Sequence, residues 1–445
     1  MKKISLLGHA AEAYFIINSS NRPADVLLDK FFRSHKYLGS HDRKFIAETV
    51  YGILRYQSKI IWLEQQTEEC ELSSSLSLHR KYHSALFRAL LFHLTESTAA
   101  RAQFALEIEE AFRTTGDLHR LIQKIDTLLS MAKKFESAVK EIAFQNSFPE
   151  WLVQDWCGHY GETETRALCS VMNISAPLTL RTNTLKISRD ELQAILLRNN
   201  IHSTSTKYSP IGLQLEKRVN IFQLPAFRDG LFEVQDEGSQ LLSLLVDPKP
   251  RSKVIDACAG AGGKSLALAA IMKNRGEIFA MDVHSTRLDE LRKRIKRSGA
   301  DIIRIEAIEE NMLNKRFISF ADIVLIDAPC SGTGTIRRNP GMKWTVTLKM
   351  IDELFDKQIQ ILEINSHYVK PNGKLVYATC SLMEKENQNV IERFLSSHHE
   401  FILEKPAAFL EKYNLATQST SDYFQLLPHV TGTDGFFAAV LKKIS

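Results

Sequence analysis

Two apolar runs in the last third of this 445-residue chain constrain its architecture more than any other feature. Ile323-Val324-Leu325-Ile326 leads into Asp327-Ala328-Pro329-Cys330-Ser331-Gly332-Thr333-Gly334, and Lys374-Leu375-Val376-Tyr377-Ala378 leads into Thr379-Cys380-Ser381. Short runs of this kind, without polar alternation, are strands buried on both faces, the type found in parallel sheets. An open parallel sheet binds its ligands in the crevice beyond the carboxyl ends of its strands. Each cysteine sits at such an end. Neighbouring strands lie about 4.8 Å apart, so adjacency of the two would bring both thiols into one site. Two thiols there suggest covalent chemistry.

The surrounding pattern extends the sheet. From about Val234 strand and helix alternate. Lys253-Val254-Ile255-Asp256 is a strand, followed by a glycine loop and a helix over Ser265–Met272. Glu277-Ile278-Phe279-Ala280-Met281-Asp282 is the next strand, followed by a helix carrying Leu288, Leu291 and Ile295. This predicts an α/β domain with a doubly wound, mostly parallel sheet. Its loop, Asp256-Ala257-Cys258-Ala259-Gly260-Ala261-Gly262-Gly263-Lys264-Ser265, joins a strand to a helix, where glycines allow close backbone approach and the helix start offers unpaired N–H groups. Gly260-Ala261-Gly262-Gly263-Lys264-Ser265 is too short for a P-loop, and Ser265 stands where a dinucleotide fingerprint needs its third glycine. Asp282 ends the second strand twenty residues after Gly262, where a carboxylate takes ribose hydroxyls. A glycine loop and a ribose carboxylate without that fingerprint fit S-adenosylmethionine.

Length alone implies two or three domains. With 44% hydrophobic and 24% charged residues the chain is a globular protein. Six cysteines without a C-x-x-C pair fit a reducing compartment and argue against a zinc site, so no metal is expected. His9 and Glu12 interrupt the apolar N-terminal stretch, and no run approaches the ~18 apolar residues of a membrane span. A cytoplasmic location follows as the expectation. The net charge of +5 is modest, but it is unevenly spread. Arg287, Arg292, Lys293, Arg294, Lys296 and Arg297 form one cluster, read equally well as a phosphate-binding patch or a solvated helix face. Arg337, Arg338 and Lys343 form another just beyond Cys330, which favours a functional role there.

Residues 1–140 carry almost no strand signal. Leu27, Leu28, Phe31 and Phe32 recur at helical spacing, as do Phe45, Ile46, Thr49, Val50, Ile53 and Leu54. This is an all-helical domain, ended by a linker through Asn146-Ser147-Phe148-Pro149. From there to Glu233 helices mix with short strands such as Leu178-Thr179-Leu180-Arg181. The expected division is 1–140, 147–233 and 234–445. Cys70, Cys157 and Cys169 lie outside any chemical motif and read as packing residues, and the Cys258 thiol reads as packing beneath its loop.

Taken together, the motifs resemble those of the RsmB/Nop/Sun-type RNA cytosine-5 methyltransferases. The stretches that carry the resemblance are Val234 to Ser239, Asp256 to Ser265, Asp327 to Gly334, Ile336 to Pro340, Lys343-Trp344, Tyr377 to Ser381 and Gly432 to Phe437, in family order. Phe148-Pro149-Glu150-Trp151-Leu152 and Leu180-Arg181-Thr182-Asn183 look like the family's small RNA-binding module. Asp42-Arg43-Lys44-Phe45 and Val50 to Arg55 look like the helical NusB-like domain of its bacterial ribosomal-RNA branch. The chain departs from the family at Gly260-Ala261, where Ala-Pro is frequent, and at Gly341, where Asp is usual. The resemblance implies a Rossmann-like S-adenosylmethionine-dependent domain preceded by a small α/β RNA-binding module and an all-helical NusB-like domain. It also implies a monomer that acts on RNA, favouring 16S ribosomal RNA, with no membrane or DNA partner.

It further assigns roles. Cys380 would be the nucleophile and Cys330 would help release the product, with Lys264 and Asp327 around the target base. Asp256, Cys258, Ala259 and the Gly260-Ala261-Gly262-Gly263 backbone would hold the methionine end of the cofactor, with Lys264 and Asp327 beside it, Asp282 the ribose, and Arg287 a further contact. Ile302-Ile303-Arg304-Ile305 is the candidate third strand, with Glu306 or Glu309 for the adenine side. Cysteine suits attack on C6 of cytosine because it is strongly nucleophilic and partly ionised at neutral pH. Asp327 is placed to protonate or hydrogen-bond N3, and the target base must leave any stack to reach a thiol. Trp344, Phe436 and Phe437 are aromatics able to stack bases, although the two Phe read first as core residues, and Arg181 and Asn183 are either RNA contacts or plain surface. Alternatives are the same chemistry on transfer RNA, a ribosome-assembly factor, a DNA cytosine-5 methyltransferase attacking with the Pro-Cys thiol, and a methyltransferase for protein or small molecules, in which both thiols would be idle.

Overall fold

The computed structural model describes residues 1–20, 22–67, 82–95, 98–112, 117–131, 135–415 and 422–444; Cys70 lies outside them. The chain forms two compact units, Met1–Ile174 with Ile336–Thr345, and Ser175–Thr335 with Val346–Ser445.

The first unit is helical, and its described residues contain no strand. Helices Lys3–Asn18, Ala24–Ser34, Ser40–Arg55 and His83–Leu94 enclose a core that includes Leu7, Tyr14, Leu28, Phe31, Ile46, Val50, Ile53, Phe87 and Leu91. Thus the apolar spacing read at 27–32 and 45–54 marks core faces. Gly52 is required where two helices cross, since a Cβ there would lie 2.1 Å from the Phe92 ring. Helices Glu150–Tyr160 and Glu162–Met172 belong to this unit too. So does Ile336–Thr345, which corrects the functional reading of Arg337 and Lys343. Arg337 is buried, and the buried Lys343 amine donates to the carbonyls of Arg55 at 2.9 Å and Ser147 at 3.2 Å and to Asn173 Oδ1 at 2.5 Å. Trp344 is half-buried and donates from Nε1 to Leu54 O at 2.8 Å, which anchors the edge of its indole to the helix Ser40–Arg55.

The second unit holds two sheets. Strands β1 (Leu178–Thr182), β2 (Ser203–Ser205), β3 (Gly212–Leu215) and β4 (Phe232–Val234) form an antiparallel sheet in the order β2-β3-β1-β4. The helix Arg189–Arg198, opened by a Ser188/Glu191 capping box, buries Leu192 and Leu196 in a core shared with Leu180, Leu213 and Phe232. Arg181 and Asn183 are neither surface residues nor exposed RNA contacts. Arg181 is 2% exposed, and Asn183 Nδ2 donates to Gly230 O and Ser298 O at 2.8 and 2.9 Å. Across β1 and β4, Arg181 faces Glu233, whose carboxylate also takes Arg294 and Arg297 from the helix Ser285–Ser298. Four of the six residues of the predicted basic patch on that helix are therefore accounted for: Arg294 and Arg297 fasten the small sheet to it, Arg292 pairs with Asp289 and Lys293 with Glu290.

The larger sheet contains β5 (Lys253–Asp256), β6 (Glu277–Asp282), β7 (Ile303–Ala307), β8 (Ala321–Asp327), β9 (Val369–Thr379), β10 (Phe401–Glu404), β11 (Phe424–Leu426) and β12 (Phe436–Lys443). Its order is β10-β12-β9-β8-β5-β6-β7, with β11 paired to β12. Strands β7, β6, β5, β8 and β9 run parallel, and β12 returns antiparallel against β9. Crossovers in both directions from β5 leave the crevice above its carboxyl end, the switch point of a doubly wound sheet. The apolar strands are packed on both faces, with Val254, Ile255, Val324, Leu325, Val376 and Tyr377 fully buried. Phe436 and Phe437 belong to this core.

Candidate active site

A cavity of about 520 Å³ opens above the ends of β5, β6 and β8. Its lining includes Asp256, Cys258, Ala259, Gly260, Ala261, Gly263 and Lys264 from the glycine loop, and Asp282, Arg287, Glu309, Asp327, Cys330 and Cys380 from elsewhere. Of the glycine-loop residues picked out as cofactor-binding, Gly262 is the one that does not line it. Its φ of +81° makes the turn, and a Cβ there would lie 2.1 Å from Leu291 Cδ1, so its role is to let the loop lie on the next helix. The helix begins at Gly263, two residues before the sequence pattern suggests.

Backbone bonds hold the loop open. Ala257 N donates to Leu325 O, Ala259 N to Met281 O, and Gly260 N to Asp282 Oδ2 at 2.8 Å. The other Asp282 oxygen accepts His284 N at 2.7 Å. Arg294 Nη1 reaches Ala261 O at 2.7 Å. Asp256 is fully buried; one oxygen accepts Ser265 Oγ at 2.6 Å and the other, Oδ1, has no hydrogen-bond partner among the described residues. Burial pushes the Asp256 carboxyl up to about 6, with the Ser265 hydroxyl pulling the other way. Burial likewise pushes the Cys258 thiol upward, as suits an inert packing residue. On the third-strand side, Glu309 lines the cavity, whereas Glu306 faces Arg316 and does not.

The reactive end is built by β8 and β9. Their parallel register pairs Asp327 with Ala378, and the thiols that follow lie 3.5 Å apart, Sγ to Sγ. Lys264 Nζ donates to Asp327 Oδ2 at 2.5 Å. Burial alone would lower the Lys264 pKa, but the Asp327 carboxylate outweighs it and the ammonium form is favoured. Cys330 is driven far above the usual thiol range by its bond to Cys380 and by burial, so it is held as the thiol. Gly334 and Gly435 meet at this corner: Gly334 N donates to Cys380 O, Gly435 N donates to Gly334 O, and a Cβ on Gly334 would lie 2.4 Å from Gly435 O. Three motifs distant in sequence thereby lock around one cysteine.

Sequence reasoning missed Glu386, a buried carboxylate between the two cysteine loops, because a glutamate in a polar stretch carries no periodic or spacing signal.

Residues 243–442 match the family model described as 16S rRNA methyltransferase RsmB/F, and residues 148–222 match that of an RsmF/B-like ferredoxin-like domain. The chain is 32% identical to the probable ribosomal RNA small subunit methyltransferase B of Synechocystis sp., over 97% of this chain and 98% of that protein. It is 30% identical to the protein of the same name from Bacillus subtilis (strain 168), over the whole of both. Among solved structures, that of PH0851 superposes with a TM-score of 0.76 at 26% identity, covering 99% of each chain. Matched end to end at this identity, the chain belongs to the RsmB/F family of 16S rRNA methyltransferases, enzymes that use S-adenosylmethionine.

Proposed function

We propose that this chain methylates C5 of a cytosine in 16S ribosomal RNA through a covalent bond between Cys380 Sγ and C6 of the base. The observation that carries this reading is the pair of thiols 3.5 Å apart beside the Lys264–Asp327 pair, all on one cavity. A methyltransferase for protein or small molecules would leave both thiols idle.

The cavity residues fit S-adenosylmethionine. The buried, unpartnered Asp256 Oδ1 and the Gly260–Gly263 backbone suit the methionine end, Asp282 the ribose, and Glu309 the adenine side, with Arg287 at the rim. The cofactor, when bound, supplies the methyl group as an electrophile. The chain's residues make the base able to take it. The Cys380 thiolate forms a bond to C6, and the electron pair of the C5–C6 double bond moves into the ring. Asp327, with the proton it shares with Lys264, meets that charge at N3, a contribution typically of 10²–10⁴-fold. C5 becomes nucleophilic and would take the methyl group as its bond to the sulfonium sulfur breaks, N3 giving its proton back to Asp327. Loss of the C5 proton to a base then restores the double bond and expels the Cys380 thiolate. Cys330, held as a thiol, suits a proton carrier in that release better than a competing nucleophile.

Three further readings belong to this proposal: a monomer, a cytoplasmic location, and three domains at 1–140, 147–233 and 234–445, the first two binding RNA. Among the described residues no helix is long and apolar enough to cross a membrane. The test is methyl transfer from labelled S-adenosylmethionine to RNA, DNA and protein, with digestion of the product. Label recovered as 5-methylcytosine from 16S RNA is the expected result. Label in transfer RNA would redirect the substrate, and label in DNA or protein, or none, would overturn the reading.

A further inference from the structure

The two thiols are fifty residues apart in the chain, and one side chain ties their loops together. Glu386 follows β9 in a short turn, Glu384–Glu386, and is 0% exposed. Its Oε1 accepts Ser331 N at 2.7 Å and Gln358 Nε2 at 3.1 Å; its Oε2 accepts Ser331 Oγ and Ser381 Oγ, each at 2.5 Å. Ser331 and Ser381 are the residues immediately after Cys330 and Cys380, and their hydroxyls lie 3.1 Å from each other. Gln358 also donates to Pro329 O at 2.9 Å, the carbonyl just before Cys330. The next residue, Asn387, repeats the tie on one side, its Nδ2 donating to Ser381 O at 3.0 Å.

Among the described residues Glu386 has no ion-pair partner, so its buried carboxylate is balanced by hydrogen-bond donors alone. A buried charge held this way is costly compared with an apolar or neutral residue, which makes it a poor device for stability in itself. All four donors come from, or brace, the two cysteine loops. We infer that Glu386 is a positioning residue for the thiol pair, its carboxylate clamping the loops after β8 and β9 so that Cys330 and Cys380 face the same point. This rests on the reading that both thiols serve one base. The nearby negative charge also adds to what holds Cys330 protonated, so the clamp acts on proton placement as well as on distance. Glu386, Ser331, Ser381 and Gln358 do not line the cofactor cavity, which separates positioning from cofactor binding.

The test uses the full chain in four forms: wild type, Glu386→Ala, Glu386→Gln, and Ser331→Ala with Ser381→Ala. Proximity is read without RNA, as the rate at which diamide joins Cys330 to Cys380, followed by mass spectrometry. Glu386→Ala and the double serine variant should cross-link several-fold more slowly and lose about 10²-fold in kcat, the cost of a misplacement near 1 Å, with S-adenosylmethionine affinity retained. Glu386→Gln keeps an acceptor for Ser331 N and an amide that donates to hydroxyls, so its cross-linking should remain near wild type. Its loss of charge should move the alkaline limb of adduct release to lower pH. Should Glu386→Ala fail to fold, the double serine variant decides. Cross-linking and kcat at wild-type levels in Glu386→Ala, or in the double serine variant where that protein does not fold, would overturn the inference. Wild-type protein that cross-links but transfers no methyl to RNA would instead overturn the reading of function and leave the clamp standing.

Discussion

Lys264 Nζ and Asp327 Oδ2 lie 2.5 Å apart, joining the first turn of the helix after β5 to the end of β8. Both residues line the cavity, with Lys264 9% exposed, and the Asp327 carboxylate sustains the Lys264 charge. One strand end and one helix start are thus joined by a single side-chain bond, at the side where the thiols stand. Removing Asp327 does more than delete a contact, because it strands the buried Lys264 ammonium without its counter-charge.

Asp327→Asn should therefore depress the Lys264 pKa, since burial would act unopposed, and remove the acid proposed for N3. The expected loss in kcat is roughly 10²–10⁴-fold. Lys264→Met should give a loss of similar size by leaving Asp327 uncompensated. Single-turnover methylation with each variant checks this; near wild-type rates in Asp327→Asn would remove the pair from the chemistry.

The thiols separate by role. Cys380→Ala should abolish both methylation and any covalent RNA adduct. Cys330→Ala should still attack and methylate but release slowly, so an adduct that survives denaturing electrophoresis accumulates. The double substitution should show none. Adduct in Cys380→Ala but not in Cys330→Ala would mean that the Pro-Cys thiol attacks.

Asp256 gives a pH signature. Its folded pKa of about 6 lies above the ordinary 3.8, so the folded cofactor-free protein holds this proton more tightly than the unfolded chain does. Its stability is unaffected below pH 3.8 and declines as pH rises to about 6, by on the order of 3 kcal/mol from this group. Asp256→Asn should remove that decline. A cationic ligand prefers the ionised carboxylate, so wild-type affinity for S-adenosylmethionine should fall as pH drops below about 6. Calorimetry between pH 5 and 8 decides: a flat affinity profile would move the cofactor's cationic end away from Asp256.

What the sequence makes legible here is what local pattern can encode. Apolar runs define β8 and β9, and a strand followed by glycines defines the cofactor loop, because those signals come from burial on both faces and from backbone that only glycine tolerates. The proximity of Cys330 and Cys380 follows from strand adjacency. Arg181 and Lys343 are misread because a charged residue in a motif has the same letter whether it meets RNA or a buried group of the protein. The residues they face, Glu233 and Ser147, are distant in sequence. Glu386 escapes for the same reason: its meaning lies in the two loops it joins.

Asp282 accepts two backbone N–H groups while facing the cavity, so its removal acts twice. Asp282→Ala should weaken S-adenosylmethionine by about 1.5–3 kcal/mol through the lost charged acceptor. Loosening of the Gly260 turn should add to this, so Asp282→Asn, which retains an acceptor, should lose less. Equal affinity in all three proteins would place the ribose elsewhere.

Lys343 tests the helical unit independently of the chemistry. Its ammonium sits among the Arg55 and Ser147 carbonyls and the Asn173 side chain, 3.7 Å from the centre of the Phe148 ring, and burial pulls its pKa well down. Lys343→Met keeps the length of the side chain but leaves these acceptors without a donor, at a cost of about 1–3 kcal/mol for each one that stays buried and unsatisfied. Lys343→Arg should not restore stability, because a planar fork cannot meet acceptors arranged around a point charge. Both variants should melt earlier than wild type while S-adenosylmethionine affinity, set by residues of the other unit, stays unchanged. Wild-type melting in Lys343→Met would show that these carbonyls find other partners, and the segment Ile336–Thr345 would then owe its place to Trp344 and Arg337.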